Sequence, residues 1–198
     1  MSTEIQDGAG TGNRATVDGK NRLHVGSVVR TERNAAIDRG EAFLFGSTVI
    51  TFTDDVSTPM VYIKNTSTRD LVISNIFNSI GSTTGGTGDA YFTVWKNADA
   101  TSGIVTTATS CPVSNMNIGS SIEFEGSAFI GATGETFTGA GGIHTTIIQE
   151  KTIVDVDIPL VIAKGQNVLF SIQPPTGNTS FSVMLAITVY YLDNDLTN

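Results

Sequence analysis

The chain has 198 residues, of which 39% are hydrophobic and 15% are charged, and its formal net charge is −8. This length supports one domain with a sizeable core, and the composition excludes a disordered or fibrous chain. An acidic chain is a poor candidate for binding nucleic acid, because such binding depends largely on neutralising phosphates.

The sequence carries no clear signal for export or for a membrane. Its first ten residues show no cationic segment followed by an apolar run, which is the pattern of a signal peptide. No apolar run approaches the length that spans a bilayer, and the single cysteine, Cys111, can form no disulfide within the chain. We therefore expect the chain to fold in a cytoplasm and to have no membrane partner.

Residues 1–42 form the first predicted region, an extended N-terminal arm. All fifteen aromatic residues lie after residue 42, so this region can bury little apolar surface against the entropic cost of ordering it. Residues 1–40 carry six cations and five anions, whereas the remainder carries five cations and fourteen anions. The arm is either a solvated tail or a docking arm that becomes ordered on a larger acidic partner or on neighbouring subunits.

The docking hypothesis assigns contacts to particular residues of the arm. Residues 22–30 alternate well enough to be a strand that is added to a partner's sheet. The residues expected to make the contacts are the six cations and two apolar residues, namely Arg14, Lys20, Arg22, Leu23, Val25, Arg30, Arg33 and Arg39.

From residue 43 onward, strand patterns alternate with turn patterns over the region 43–198. Turns are predicted at 65–70 and 174–178, and a flexible glycine-rich loop at 81–88. The predicted strands are 43–53 with a kink at Gly46, 60–65, 71–77, 90–97, short ones near 104–107 and 121–124, then 143–149 and three within 158–191.

The last of these strands shows the strongest pattern in the chain. Apolar and smaller or more polar residues alternate over more than ten positions up to Tyr191, which predicts a strand with one face in a core. The residues predicted to face that core are Phe181, Val183, Leu185, Ile187 and Val189.

Eight to ten strands with regular turns, and no stretch with a convincing helical period, indicate an all-β fold. An antiparallel β-sandwich fits this pattern, and among sandwiches a jelly roll fits the strand count best. The predicted organisation is therefore an arm over 1–42 followed by a jelly-roll sandwich over 43–198.

Catalytic and metal-binding patterns are weak. His24 and His144 are far apart in sequence and have no Cys or Glu at ligand spacing, which argues against zinc. Three acidic pairs could help to bind Ca²⁺, although solvated carboxylates are the simpler interpretation; they are Asp54 with Asp55, Asp155 with Asp157, and Asp193 with Asp195. We predict no enzyme, no metal site and no cofactor.

Several segments resemble the virion structural proteins of tailed bacteriophages. The arm motif 12–25, the segments 40–43, 60–65 and 71–73, and the closing half from 158 to 191 carry this resemblance along most of the chain. It implies a jelly-roll head-decoration (cement) protein, a homotrimer that binds the major capsid protein through an N-terminal arm. Such a protein is assembled in the host cytoplasm and ends in the virion.

Two other functions stay open at this stage. The first is a knob of a head, collar or tail fibre that binds host cell-surface glycan through the polar loops 81–88, 98–120 and 131–142. The second is an enzyme, for example a cupin-like one, against which the lack of a histidine cluster argues.

Overall fold

A computed structural model of the protein describes residues 3–6, 14–17, 23–24, 31–53, 55–87, 89–98, 103–148, 153–155 and 160–192. The chain divides into two units, Met1–Thr31 and Glu32–Asn198. The described part of the first unit is an antiparallel sheet of three short strands, in which the second lies between the other two. These strands are β1 (Thr3–Gln6), β2 (Arg14–Val17) and β3 (Leu23–His24).

The predicted strand over 22–30 is only partly described. Leu23 and His24 pair with Val17 and Thr16 of their own unit. The rest of that strand lies outside the described residues.

The second unit is all-β apart from one short helix. Its described elements are α1 (Glu32–Arg39), β4 (Ala42–Gly46), β5 (Ile50–Phe52), β6 (Thr58–Asn65), β7 (Leu71–Thr87), β8 (Ala90–Lys96), β9 (Thr109–Ser110), β10 (Val113–Asn115), β11 (Gly126–Ile130), β12 (Gly141–Ile148), β13 (Ile153–Asp155), β14 (Leu160–Ile162), β15 (Asn167–Gln173) and β16 (Thr176–Tyr191).

Helix α1 places the start of this unit at residue 32, ten residues before the aromatic boundary at 42. Ala36 is fully buried, and the helix packs on β4 and β16. The helix has only two turns and a mostly polar sequence, ERNAAIDR, so it shows no helical period that a sequence pattern could reveal. Tertiary contact with the sheet, rather than aromatic content, therefore decides where the second unit begins.

A glycine ends α1. Gly40 has a φ of 75°, its N–H donates to Ile37 O at 2.9 Å, and the next N–H, of Glu41, donates to Ala36 O at 2.8 Å. This pair of hydrogen bonds is the Schellman arrangement, which satisfies carbonyls at the end of a helix and needs a left-handed residue. The chain consequently leaves the helix and enters β4 within two residues.

Two antiparallel sheets make up the sandwich. In one, the order is β10-β4-β16-β7-β13, with β5 also paired to β16 and β14 also paired to β7. In the other, the order is β12-β8-β15-β6-β11-β9. The fold is therefore an all-β sandwich of two antiparallel sheets.

The main core lies between these sheets. The five side chains of β16 that the alternation predicts to face inward are each at most 1% exposed, and Tyr191 at the end of the strand is also buried. From the opposite sheet, Phe92 of β8 and Phe170 of β15 enter the same core with stacked rings 6.0 Å apart. Apolar burial of this kind contributes about 1.5–3 kcal/mol for each large side chain.

The segment 81–87 continues β7 instead of forming the predicted flexible loop. Its partner is the start of β16, where Thr87 pairs with Thr176 and Thr84 with Ser180. The register shifts twice along this ribbon, between 178 and 180 and between 181 and 183, as at β-bulges. The glycine-rich composition predicted flexibility, but pairing with a strand about ninety residues away satisfies the backbone and orders it.

The long segment between β8 and β12 differs from its prediction in a similar way. Strands occur at β9, β10 and β11 rather than near 104–107 and 121–124. β10 extends one sheet beside β4, and β11 with β9 extends the other beside β6. These strands are two to five residues long, so their positions depend on the available sheet edges more than on local sequence.

The two glycines with φ of 75°, Gly40 and Gly165, allow a matched test of the helix end. At Gly165 no atom lies near the position of a Cβ, whereas at Gly40 a Cβ would collide with Ser120 Oγ and Cβ. We expect Gly165→Ala to cost about 1–2 kcal/mol through backbone strain alone. Gly40→Ala should cost more, about 2–5 kcal/mol, because overpacking adds to the same strain.

Urea unfolding of the two variants measures this difference. Equal losses of stability would show that Ser120 moves away freely and that the close approach of α1 to segment 115–122 is not needed.

A second test concerns Asn78, which points into the core from β7. It is fully buried and lies opposite Leu185 in the register, and within the described residues neither Nδ2 nor Oδ1 has a hydrogen-bond partner. An unsatisfied buried polar group costs about 1–3 kcal/mol, so Asn78→Leu should raise the free energy of unfolding by up to that amount.

Asn65 provides the control, because it is equally buried but fully bonded. Its Nδ2 donates to Arg69 O at 2.8 Å and to Ile162 O at 3.0 Å. Asn65→Leu should therefore destabilise the protein. A destabilised Asn78→Leu variant would mean that Asn78 is satisfied by ordered water.

Candidate functional site

The structure separates the predicted arm residues into two groups. Arg33 and Arg39 lie in α1, in the second unit, whereas Arg14 and Leu23 lie in β2 and β3 of the first. The remaining four lie outside the described residues, namely Lys20, Arg22, Val25 and Arg30.

Both arginines of α1 bond to their own chain. Arg33 Nη1 donates to Asn75 Oδ1 of β7 at 2.8 Å, and Arg39 Nε lies 2.6 Å from Glu41 Oε2. These two side chains hold the helix on the sandwich, so they are already engaged within their own unit.

Glu41, which lies between α1 and β4, is the centre of a polar cluster at one end of the sandwich. Its second oxygen, Oε1, accepts a hydrogen bond from Arg69 Nη1, and the guanidinium of Arg69 lies 4.5 Å from the centre of the Tyr191 ring. Burial opposes the ionisation of Glu41, but the hydrogen bonds from Arg39 and Arg69 outweigh it, so its pKa lies below the ordinary 4.5. We call Arg39, Glu41, Arg69 and Tyr191 the junction cluster.

A built turn holds Arg69 in place. Asn65 Oδ1 accepts a hydrogen bond from the N–H of Ser67, and Asn65 Nδ2 donates to Arg69 O. The single O–H of Ser67 lies 2.8 Å from both Asn65 Oδ1 and Arg69 O and donates to one of them. Asn65 and Ser67 are buried, so the turn is a rigid support. The sequence predicts a turn at 65–70 from its composition, but not that this turn presents Arg69 to Glu41.

Tyr191 joins the cluster to the aromatic core. Its Oη accepts a hydrogen bond from the backbone N–H of Glu125 at 2.8 Å, and its ring stacks on Phe124 and meets Phe43 edge-on. Burial, only partly offset by this hydrogen bond, raises the pKa of Tyr191 to about 12. The junction cluster therefore connects the end of α1, the start of β4, the turn 65–70 and the end of β16.

The junction cluster is a network of ion pairs. It pairs the Glu41 carboxylate with the guanidinium groups of Arg39 and Arg69, and that of Arg69 also lies over the Tyr191 ring. These contacts favour the charged forms of the side chains and fix their positions. The single cysteine of the chain, Cys111, is buried, and burial raises its pKa to about 11, so it is a neutral thiol at pH 7.

An open cleft of about 640 Å³ lies beside β10 and β11. Its described walls combine serines and an asparagine with aromatic and aliphatic side chains, together with the carboxylate of Glu123. The lining residues include Phe43, Ser110, Asn115, Ser120, Ser121, Phe124, Ser127 and Phe129.

Most described residues of the loops proposed for glycan recognition are exposed, but a few of them anchor these loops to the body of the sandwich. Phe137 lies 5.0 Å from Trp95, and a second apolar cluster around Tyr62 and Leu169 covers the outer face of the β15-containing sheet. Glu135, 3% exposed, accepts hydrogen bonds from the N–H and Oγ1 groups of Thr106 and Thr107. This buried carboxylate is satisfied by four donors and pins the segment 104–108.

Among the described residues, no three His, Cys, Asp or Glu side chains are grouped closely enough to hold a metal ion. Of the predicted Ca²⁺ pairs, Asp54, Asp157, Asp193 and Asp195 lie outside the described residues. The described part of the chain contains no helix that is both long and apolar enough to cross a bilayer.

No protein-family model matches this chain, and no curated protein sequence matches it.

The junction cluster predicts a dependence of stability on acid pH. The pKa of Glu41 is lower in the folded chain than in the unfolded chain, so its stabilising effect is present above about pH 4.5 and is lost as the pH falls through the folded pKa. We expect Glu41→Gln to lower the free energy of unfolding at pH 7 by about 1–3 kcal/mol, since Arg69 loses its charged partner.

Urea unfolding at pH 7 and pH 3 measures this effect. The wild type should lose more stability between the two values than Glu41→Gln does. Asp55→Asn, which alters an exposed carboxylate, is the control and should behave as the wild type. If Glu41→Gln and the wild type lost the same free energy of unfolding between pH 7 and pH 3, the junction cluster would contribute nothing to the sensitivity to acid.

Proposed function

We propose that this protein is a non-enzymatic structural component of a phage virion, a head-decoration (cement) protein that trimerises and attaches through its N-terminal segment. The observation that carries this proposal is the division of the chain into a sandwich that begins at Glu32 and a separate unit over 1–31. The sandwich has its own core, and the N-terminal segment makes contacts within itself. Such a division suits a subunit that attaches through its N-terminus.

The distribution of charge supports the same division. Residues 1–31 carry four cations and three anions, whereas residues 32–198 carry seven cations and sixteen anions. The net charges of the two units are therefore +1 and −9. Arg33 and Arg39 are used within the sandwich, so the proposed capsid contacts are Arg14, Lys20, Arg22, Leu23, Val25 and Arg30.

The order of the strands supports a jelly roll as the finer description of the sandwich. Eight strands take the positions of a jelly roll, and in chain order they are β4, β6, β7, β8, β12, β14, β15 and β16; β5, β9, β10, β11 and β13 are additions to them. In one sheet the first strand lies next to the eighth, followed by the third and the sixth; in the other, the second lies next to the seventh, followed by the fourth and the fifth. Two interleaved Greek keys of this kind make a jelly roll.

Assembly on a particle explains how a small arm could suffice. A head presents many identical sites, so an oligomer of sandwiches engages several at once and gains avidity from contacts that are weak individually. The proposed partners are the major capsid protein and further copies of this chain. The proposed location is the virion, after assembly in the host cytoplasm.

Deleting residues 1–31 tests the proposal. The truncated protein keeps α1 and the junction cluster, so it should fold as a β-sandwich that unfolds cooperatively and should form an oligomer with as many subunits as the wild type. It should no longer sediment with expanded heads, and it should no longer raise their melting temperature, an effect that requires binding to the assembled state.

A matched pair of variants separates charge from truncation. Replacing Arg14, Arg22 and Arg30 together by Ala should weaken head binding, and replacing them by Lys should retain most of it. Undiminished binding by the truncated protein would refute attachment through this segment.

The cleft beside β10 and β11 favours a second candidate, a fibre or knob module that binds host glycan. Serine, asparagine and aromatic side chains line it, and such groups suit sugar hydroxyls and faces. Binding on a glycan array together with no affinity for heads would select this function over the first.

A further inference from the structure

A tight turn after β10 presents one apolar side chain entirely to solvent. Ile118, at the tip of this turn, is 99% exposed. Asn117 closes the turn, because its Oδ1 accepts a hydrogen bond from the N–H of Gly119 at 3.1 Å and its carbonyl accepts one from the N–H of Ser120 at 2.9 Å. We call the turn 117–120, with Ile118 at its tip, the knob.

The knob is fixed to the body of the sandwich. The N–H of Asn117 donates to Asn115 Oδ1 at 2.8 Å, and Asn117 Nδ2 donates to Asp38 O of α1 at 3.2 Å. Asn115 Nδ2 in turn donates to Gly40 O at 2.7 Å. Single exposed apolar residues are common on protein surfaces, but a side chain on a turn that is already held in place loses little conformational freedom on binding. The knob is therefore preorganised to enter an apolar pocket.

A pocket of about 290 Å³ lies at the other edge of the sandwich. It is lined by residues of β14 from one sheet and of β8, β12 and β15 from the other. Its walls combine aliphatic residues, among them Ile143, Leu160 and Val161, with polar ones, among them Lys96. A cavity of about 150 Å³ already holds benzene, so this pocket has room for an isoleucine side chain. We call it the edge pocket.

The knob and the edge pocket lie at the same level of one sheet. Across that sheet the register runs from Asn115 in β10 to Phe43 in β4, Val189 in β16, Ile73 in β7 and Leu160 in β14. The knob begins two residues after Asn115, and Leu160 lines the edge pocket. Four strand spacings separate β10 from β14, so these two edges are about 19 Å apart. The knob therefore cannot reach the edge pocket of its own copy.

The surroundings of the knob are acidic. Residues 110–125, which include the knob, carry the carboxylates of Glu123 and Glu125 and no cation. At the adjoining end of α1, the cation of Arg39 is paired with the carboxylate of Glu41. The charge that this side of the sandwich offers to a partner is therefore negative.

The described residues around the edge pocket are cationic on balance. Lys96 lies in its wall, and Lys164 directly follows Ala163, which also lines it. One carboxylate lies beside them, that of Asp70, whose Oδ1 accepts the N–H of Lys164 at 3.3 Å. Copies of a unit with a net charge of −9 repel each other over most of their surface, whereas an acidic knob and a cationic pocket attract each other.

We propose that the knob of one copy inserts into the edge pocket of the next copy. This inference rests on the self-association in the proposed function and deepens it by naming the two surfaces that meet. A closed ring of three copies needs a contact of this kind, because each copy offers two different surfaces, one to each neighbour. A sheet with the knob at one edge and the pocket at the other, at the same level, suits a ring whose axis runs along the strands.

Sedimentation equilibrium, and light scattering coupled to size exclusion, measure the oligomer. Ile118→Lys places a cation opposite Lys96, and Val161→Glu places a carboxylate opposite the acidic knob, so each should raise the dissociation constant at least about tenfold. Ile118→Leu, which keeps the knob apolar, should retain the wild-type mass. Val49→Glu is the matched control and should also retain it, because Val49 is an exposed valine between β4 and β5, away from both surfaces.

A mixture of the two disruptive variants tests which surfaces meet. Ile118→Lys keeps an intact edge pocket, and Val161→Glu keeps an intact knob. The two chains should therefore form a 1:1 complex when mixed, although neither self-associates at the same concentration. Both side chains are exposed in a single copy, so the variants should fold, and circular dichroism checks this.

The outcomes separate the two levels of the proposal. A wild-type oligomer that survives both substitutions overturns the contact between knob and edge pocket but leaves the trimeric decoration protein standing. The same conclusion follows if the two dissociated variants form no complex when mixed, or if Val49→Glu dissociates the oligomer to the same extent. A wild type that is monomeric at all concentrations overturns both levels.

Discussion

Burial of one face of β16 between the two sheets is the constraint on which the rest of this structure depends. The strand pairs with β4, β5 and β7, and its inward side chains from Phe181 to Val189 are almost completely removed from water. Its outward face supports α1, and its last residue, Tyr191, receives the N–H of Glu125 and the cation of Arg69. Displacing the register by one residue would turn the apolar face to solvent and undo all of these contacts together.

Hydrogen-bonded polar side chains connect several elements at one end of this sandwich. The carboxylate of Glu41 accepts hydrogen bonds from Arg39 and Arg69, and Asn65 Nδ2 donates to Arg69 O in the turn that carries this arginine. In the core, by contrast, Asn78 has no hydrogen-bond partner among the described residues, so it lowers stability where Asn65 supports it. The junction cluster thus helps to attach α1, the element through which residues 1–31 join the sandwich.

The attachment of α1 gives the proposed function its physical basis. A segment that transmits a load to a capsid must be joined to a part of the body that does not open locally, and α1 is fixed by Arg33, by a buried alanine and by the junction cluster.

Sequence alone determined the fold class and the main core, because the period of two in β16 depends only on neighbouring residues and allows a strand with one buried face. It also determined the contrast in charge between the two units, which is a property of composition. Tertiary structure alone decided that 32–39 is a helix, that 81–87 is a strand, and that Glu41, Arg69 and Tyr191 meet. Each of these depends on partners far along the chain: a sheet for Ala36, the start of β16 for Thr84 and Thr87, and a turn that presents Arg69. No local pattern records such partners, because the energy that selects them arises only when distant segments pack.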